Sequence, residues 1–231
     1  MNKYLQETQM LNFKHKSIQR LIKEKQWIND DDFQKILKIY NFVRDDIAFG
    51  YNTDDIITAS EVLNDGYGQC NTKGTLFMAL LRAVGIPCRI HGFTIDKKLQ
   101  KGAMTGIIYK FAPKSIIHSW VEIQYKHNWY NIEGFILDSQ YLKKLQEKFE
   151  DCKTSFCGYG VATDNFQNPQ VEWSANDTYI QKEGINHDFG VFDSPDEFFE
   201  KYHQQLTPLK KCIYRNIGRK LMNRNVERIR D

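Results

Sequence analysis

The sequence predicts an α+β fold in which a buried helix, with a cysteine in its first turn, packs on an antiparallel β-sheet beneath a helical N-terminal layer. Three observations predict it. The stretch from Thr75 to Val84 carries Leu76, Phe77, Leu80, Leu81 and Val84 with Met78, Ala79 and Ala83 between them, and a helix that is apolar nearly all round is a buried one. Cys88 to Asp96 is rich in β-branched and aromatic residues, and His118 to Tyr125 alternates, which is the period of a strand. His127-Asn128 separates that alternation from Trp129 to Glu133, so a short turn closes a hairpin.

Taken in order, residues 3 to 27 read as a polar, basic helix with Leu5, Leu11, Ile18, Leu21 and Ile22 as a thin apolar stripe. Asn29 to Asp32 supply capping oxygens for a second helix, where Phe33, Ile36, Leu37, Tyr40 and Val43 recur at helical spacing. The turn Asp65-Gly66-Tyr67-Gly68-Gln69 feeds Cys70 into the buried helix, which Gly85 and Pro87 end. Lys97 to Ile117 is longer than an ordinary connection, as functional loops often are. Tyr141 to Phe149 reads as helical, and residues 153–187 are polar without a clear period. Ser194-Pro195-Asp196-Glu197 is a capping box opening a helix to about Gln205, and Thr207-Pro208 starts another.

The chain has 231 residues, 41% hydrophobic and 13% aromatic, enough for one domain over 1–231 with a sizeable core. No apolar run approaches the ~20 residues of a membrane span. The start lacks a signal-peptide pattern, so a cytoplasmic location is the expectation. Five cysteines (Cys70, Cys88, Cys152, Cys157 and Cys212) cannot all pair within one chain, and without a signal sequence they read as reduced thiols. Close Cys-x-x-Cys pairs are missing, so neither a metal nor a cofactor is predicted. A net charge of +3 offers no global field for nucleic acid. The exception is local: residues 208–231 hold eight Lys or Arg and two acidic residues. Ile213, Ile217 and Leu221 fall at i, i+4 and i+8 there, so the expectation is a terminal helix packed by that stripe with its charges solvated. An acidic partner for it is the other reading.

Cys70 is the candidate nucleophile. The unpaired N–H groups and the dipole of a helix N-terminus favour a thiolate, and the Cys70 N–H can face the oxygen of whatever the sulfur attacks. His118 is the candidate general base, with Trp120 able to shield it. In a two-residue hairpin turning at His127-Asn128, Glu133 would face Glu122 and Leu137 would face His118. Asp138 therefore competes with Glu133 for the third position, unless a bulge or a longer turn restores Glu133. Tyr67 and Trp120 are candidates to line a groove.

Six pieces stand in order and at compatible spacing over about residues 36 to 138: Ile39-Tyr40-Asn41-Phe42-Val43-Arg44-Asp45-Asp46-Ile47, Val62-Leu63, Gly66-Tyr67-Gly68-Gln69-Cys70, Leu81-Arg82-Ala83-Val84-Gly85-Ile86-Pro87 running into Cys88-Arg89-Ile90, His118-Ser119-Trp120-Val121-Glu122, and Trp129-Tyr130-Asn131-Ile132-Glu133. Together they resemble the transglutaminase-like superfamily of cysteine enzymes, which shares a papain-like core. The resemblance implies that 36–138 is the core, 1–35 a helical addition and 139–231 a family-variable region ending in the basic helix. It implies a Cys70-His118-acidic triad for thiol-dependent acyl transfer on amide bonds of a peptide or protein. Hydrolysis by a peptidase or amidase is the first expectation, transamidation of protein glutamine the second, and a non-catalytic peptide-binding module on the same fold the third. Peptide N-glycanase-like relatives carry zinc-binding cysteine pairs, which this chain lacks. The family has Asp where this chain has Glu133.

Overall fold

The structure, a computed structural model, describes residues 2–231. The N-terminal layer differs from the expectation of one helix over 3–27. A 3₁₀ turn at Lys3–Leu5 is followed by irregular chain, and helix α1 spans only Lys16–Lys25. Polar side chains replace the helix ladder between them. Glu7 accepts from the Lys14 N–H, Asp196 accepts from the Met10 N–H, and the His15 ring caps α1 by accepting from the Ser17 N–H. Helix α2, Asp32–Asn41, starts with Asp31 accepting from the Gln34 N–H. It continues into a wider π turn, Phe42–Asp46.

A two-residue strand β1, Ala48–Phe49, precedes helix α3, Ala59–Asp65, and strand β2, Tyr67–Gly68, which pairs with β1 in parallel. Helix α4, Cys70–Ala83, is buried along almost its whole length. Strand β3 covers Cys88–Asp96, and the long connection after it holds a short helix α5, Gly106–Phe111. Strands β4, Ser115–Tyr125, and β5, Asn128–Ile132, form the hairpin. Its turn is Lys126-His127, one residue earlier than predicted, with φ of 47° and 68°, the left-handed pair that two-residue hairpin turns require.

Helix α6, Ser139–Lys148, and the small hairpin of β6, Phe156–Gly158, with β7, Val161–Thr163, follow. Strand β8, Ile185–Phe192, was not legible in the sequence; it pairs antiparallel with β3 across two register shifts. Helix α7 spans Pro195–Lys201 and stops short of the predicted Gln205. The chain ends in a long helix made of α8, Pro208–Ile213, a π turn at Tyr214–Gly218, and α9, Arg219–Arg230.

The main sheet has the order β5-β4-β3-β8 and is antiparallel throughout. One face packs on α4: Val121 and Ile123 of β4 and Ile90 of β3 join Leu76, Phe77 and Leu80 in one apolar cluster reaching from Met10 to Val226. Fully burying such side chains contributes roughly 1.5–3 kcal/mol each, which fixes the sheet against the helix that bears Cys70. In the terminal helix the expectation is overturned. Ile213, Ile217 and Leu221 are exposed, and Gly218, Met222 and Val226 are the buried positions. Among the described residues no helix is long and apolar enough to cross a membrane.

Candidate functional site

The turn into Cys70 is built from both sides. Thr58 and Glu61 form a capping box at the start of α3, and Gly66 ends that helix at a φ of 71°. At Gly68 a Cβ would meet Thr72 Oγ1 at 2.7 Å and Lys73 Cγ at 2.9 Å, so only glycine lets the chain come this close to α4. Asn52 braces the turn, accepting from the Thr72 hydroxyl at 2.6 Å and donating to the Tyr67 carbonyl and to Asp65. The Gln69 side chain is spent in the same bracing: its Oε1 accepts from the Asn52 N–H and its Nε2 donates to Asp55. Cys70 is then the first residue of α4 and is 8% exposed. Its N–H, in the first helical turn, has no acceptor within the helix.

A clamp holds β4 to the start of this helix. Ser119 donates to the Asn71 side-chain carbonyl at 2.9 Å, and Asn71 donates to the Ile117 carbonyl at 3.2 Å and to Asp55 at 3.0 Å. Ser119 and Asn71 are the residues next to His118 and Cys70, so the clamp sets those two side by side. Sequence reasoning passed over both, since neither Asn nor Ser at these places signals more than a turn or a strand.

His118 is fully buried. Its Nε2 lies 2.8 Å from Glu133 Oε1, and its Nδ1 is buried without a partner in hydrogen-bonding geometry. Burial alone would push the imidazole pKa down. The Cys70 sulfur and then the Glu133 carboxylate outweigh it and push it up to about 10. Cys70 also acts on Tyr51, whose hydroxyl burial holds well above its usual range and which donates to Gln100 at 2.5 Å.

Glu133 follows the last residue of β5. The ladder pairs Val121 with Ile132; extended by one step it sets Glu133 opposite Trp120, diagonal to His118 on the same face. Diagonal neighbours are within reach of a long side chain, and Glu has one methylene more than Asp to span the gap. Both carboxylate oxygens are held: Oε1 by His118, Oε2 by the N–H groups of Ile180 and Gln181, each at 2.8 Å. The Glu133 N–H donates to the Thr178 carbonyl at 3.0 Å. Segment 178–181, which looked featureless in sequence, thus carries the support of Glu133.

Asp138, the alternative for the third position, belongs to another cluster. It caps α6 by accepting from the Tyr141 N–H at 2.8 Å, accepts from the Phe49 N–H, and pairs with Arg230 at 2.6 Å. Burial opposes its charge, but Arg230 and those N–H groups hold its carboxyl below the usual range. Trp120 packs against Phe93 with ring centroids 4.2 Å apart and the rings tilted by 50°, and meets Tyr179 edge-on. Tyr67 accepts from Arg219 of the terminal helix. Glu122 is taken up by Arg89 and His91. Among the described residues no three His, Cys, Asp or Glu side chains gather as a metal ion would need.

Gly134 shows how tightly the Glu133 loop is set. A Cβ there would meet the Tyr40 hydroxyl at 2.5 Å and the Val171 backbone at 2.9 Å. Gly134→Ala is therefore expected to cost about 1–3 kcal/mol by overpacking, read as a lower urea midpoint. An unchanged midpoint would mean that the loop gives way freely.

Residues 20–134 match the family model of the Transglutaminase-like superfamily, a span that holds Cys70, His118 and Glu133. Among curated proteins none matches. One similar solved structure is a "putative cysteine protease" from Cytophaga hutchinsonii, 12% identical, with a TM-score of 0.48 over 84% of this chain and 47% of that one. Another is the red sea bream transglutaminase, 16% identical, with a TM-score of 0.31 over 45% of this chain and 22% of that one. The chain spans about half the length of the first and about a fifth of the second. Six motif pieces in register, an α+β fold with its cysteine helix on an antiparallel sheet, and the family match over 20–134 lead to one statement: the chain belongs to the transglutaminase-like superfamily.

Proposed function

We propose that the chain is a thiol-dependent hydrolase of amide bonds in peptides or proteins, with Cys70 as nucleophile, His118 as acid and base, and Glu133 as the residue that orients His118. The observation carrying this reading is the buried imidazole of His118, bound to Glu133 through Nε2, with Nδ1 unpartnered and Cys70 the strongest group raising its pKa. An imidazole placed so can hold a proton for a thiolate, and unligated sites commonly tighten these contacts only when substrate binds.

The Cys70 sulfur attacks the carbonyl carbon, and the developing oxyanion meets the Cys70 N–H at the start of α4. His118 gives its Nδ1 proton to the leaving amine as the C–N bond breaks, leaving a thioester on Cys70. Water, losing a proton to His118, then releases the acid and the thiolate. Glu133 keeps the ring turned with Nε2–H inward and favours the imidazolium. Transamidation is the second reading. It is favoured by the near-complete burial of Cys70, His118 and Glu133, since an amine resolves the thioester in preference to water only where water is kept out.

The test is the rate of iodoacetamide alkylation of Cys70 against pH, with His118→Ala beside the parent. The parent is expected to react rapidly near pH 6, and His118→Ala at least about tenfold more slowly there, converging at alkaline pH. Identical profiles would sink the thiolate–imidazolium pair. With a casein substrate and a fluorescent primary amine, new chain termini indicate hydrolysis and dye incorporation indicates transamidation.

A further inference from the structure

The terminal helix presents a face that the fold does not use. Leu209, Ile213, Ile217 and Leu221 are 70%, 48%, 57% and 46% exposed. Steps of four residues drift by about 40° each around a regular α-helix. The π turn at Tyr214–Gly218, with more residues per turn, takes up part of that drift and keeps the four in one line. The opposite side is anchored. Tyr214 donates to the Asn52 carbonyl, Asn223 exchanges hydrogen bonds with the Tyr51 backbone, and Asn225 donates to the carbonyls of Gly102 and Ala103.

The basic residues divide in the same way. Lys211 and Arg215 pair with Asp54, and Arg230 pairs with Asp138. Lys210, Lys220, Arg224 and Arg228 are exposed, and among the described residues none has an acidic partner. An aliphatic line edged by unpaired cations on one side of a firmly held helix is the pattern of an interfacial helix on anionic lipid. A protein-binding face would be expected to offer aromatic anchors and little lysine, and this line is wholly Leu and Ile.

We infer that the outer face of the 208–230 helix docks on an anionic lipid surface, with Leu209, Ile213, Ile217 and Leu221 in the headgroup boundary and Lys210, Lys220, Arg224 and Arg228 on the headgroups. The helix rests on the loop of Tyr51, Asn52 and Asp54 beside the Cys70 turn, so docking brings that turn to the membrane surface. The inference stands on this face alone and does not require the proposed chemistry.

Sedimentation of the full chain with vesicles tests it, using phosphatidylcholine alone and phosphatidylcholine with phosphatidylglycerol. The parent is expected to bind only the phosphatidylglycerol vesicles, and less at high salt. Ile213→Glu/Ile217→Glu and, separately, Lys220→Glu/Arg224→Glu should each lower partitioning by ~10-fold or more. Ile28→Glu/Lys16→Glu, which changes an exposed apolar and a basic residue elsewhere, should leave it unchanged. All these positions are exposed, so unchanged melting temperatures would verify that each variant is folded. A parent that ignores phosphatidylglycerol, or variants that bind as well as it does, would overturn the inference. So would binding to poly-glutamate without binding to vesicles, which would assign the face to an acidic protein.

Discussion

Glu133→Gln is expected to lower the rate of acyl transfer by about 10²–10⁴-fold, although it changes neither the size nor the shape of the side chain. Three donors converge on the Glu133 carboxylate: His118 Nε2 on one oxygen, and the N–H groups of Ile180 and Gln181 on the other. Glutamine brings one acceptor and one donor. With its NH₂ toward Ile180 and Gln181 it faces two donors and leaves buried polar groups unpaired, at a cost of roughly 1–3 kcal/mol. With its NH₂ toward His118 it makes Nε2 the acceptor and fixes the Nδ1–H tautomer, which cannot take the Cys70 proton. The charge that supports the His118 imidazolium disappears as well. NMR should show the His118 titration moving down from its position near 10, with a lower urea midpoint beside it. Glu133→Asp keeps both acceptors but is one methylene short, so it should fall between Gln and the parent. A Gln variant as active as the parent would remove Glu133 from the mechanism.

The dependence on that methylene explains why the third site residue was hard to read. The sequence shows a hairpin but not which two residues turn it, because Lys126, His127 and Asn128 are all acceptable there. Moving the turn from His127-Asn128 to Lys126-His127 shifts the facing pairs by two residues, which moves Glu133 from a place opposite Glu122 to one opposite Trp120, diagonal to His118. The Cys70 helix and β3 were legible because uniform burial and β-branching write themselves into local composition. Strand β8 was not: His187, Asp188 and Val191 point to solvent at a sheet edge, and the register shifts erase its alternation. The contacts of Thr178 to Gln181 with Glu133 are mostly backbone hydrogen bonds, which leave no mark on residue type. In the terminal helix the apolar period was visible, but a period does not say which way it faces. The buried side there is Gly218, Met222 and Val226, a weaker signal than the exposed isoleucines.

Lys73 gives the second large effect. It sits on α4 three residues after Cys70, fully buried, with its Nζ donating to the carbonyls of Arg44 at 3.1 Å and Ile136 at 3.0 Å. Those bonds tie the cysteine helix to the π turn that follows α2 and to the loop that follows Glu133. Burial pushes the ammonium down from 10.5 to about 7, against the opposing charges of Asp138 and Asp45. Between these values the unfolded chain holds a proton that the folded chain releases, so stability must rise with pH there, by at most about 1.4 kcal/mol per unit. The Cys70–His118 pair is the same in parent and variant, so from roughly pH 7 to 8.5 its contribution cancels in the difference between them. His91 is held above its ordinary value by Glu122 and Asp188 in spite of burial. Its contribution therefore falls as pH rises, but it does so equally in parent and variant. Lys73→Met keeps the volume and removes the titration, so the parent-minus-Met difference in unfolding free energy should grow by ~1 kcal/mol per unit over that window. Urea denaturation at its two ends measures it. A constant difference would mean that the two carbonyls keep Lys73 fully charged in the folded chain, and that this proton plays no part in how firmly the Cys70 helix is held.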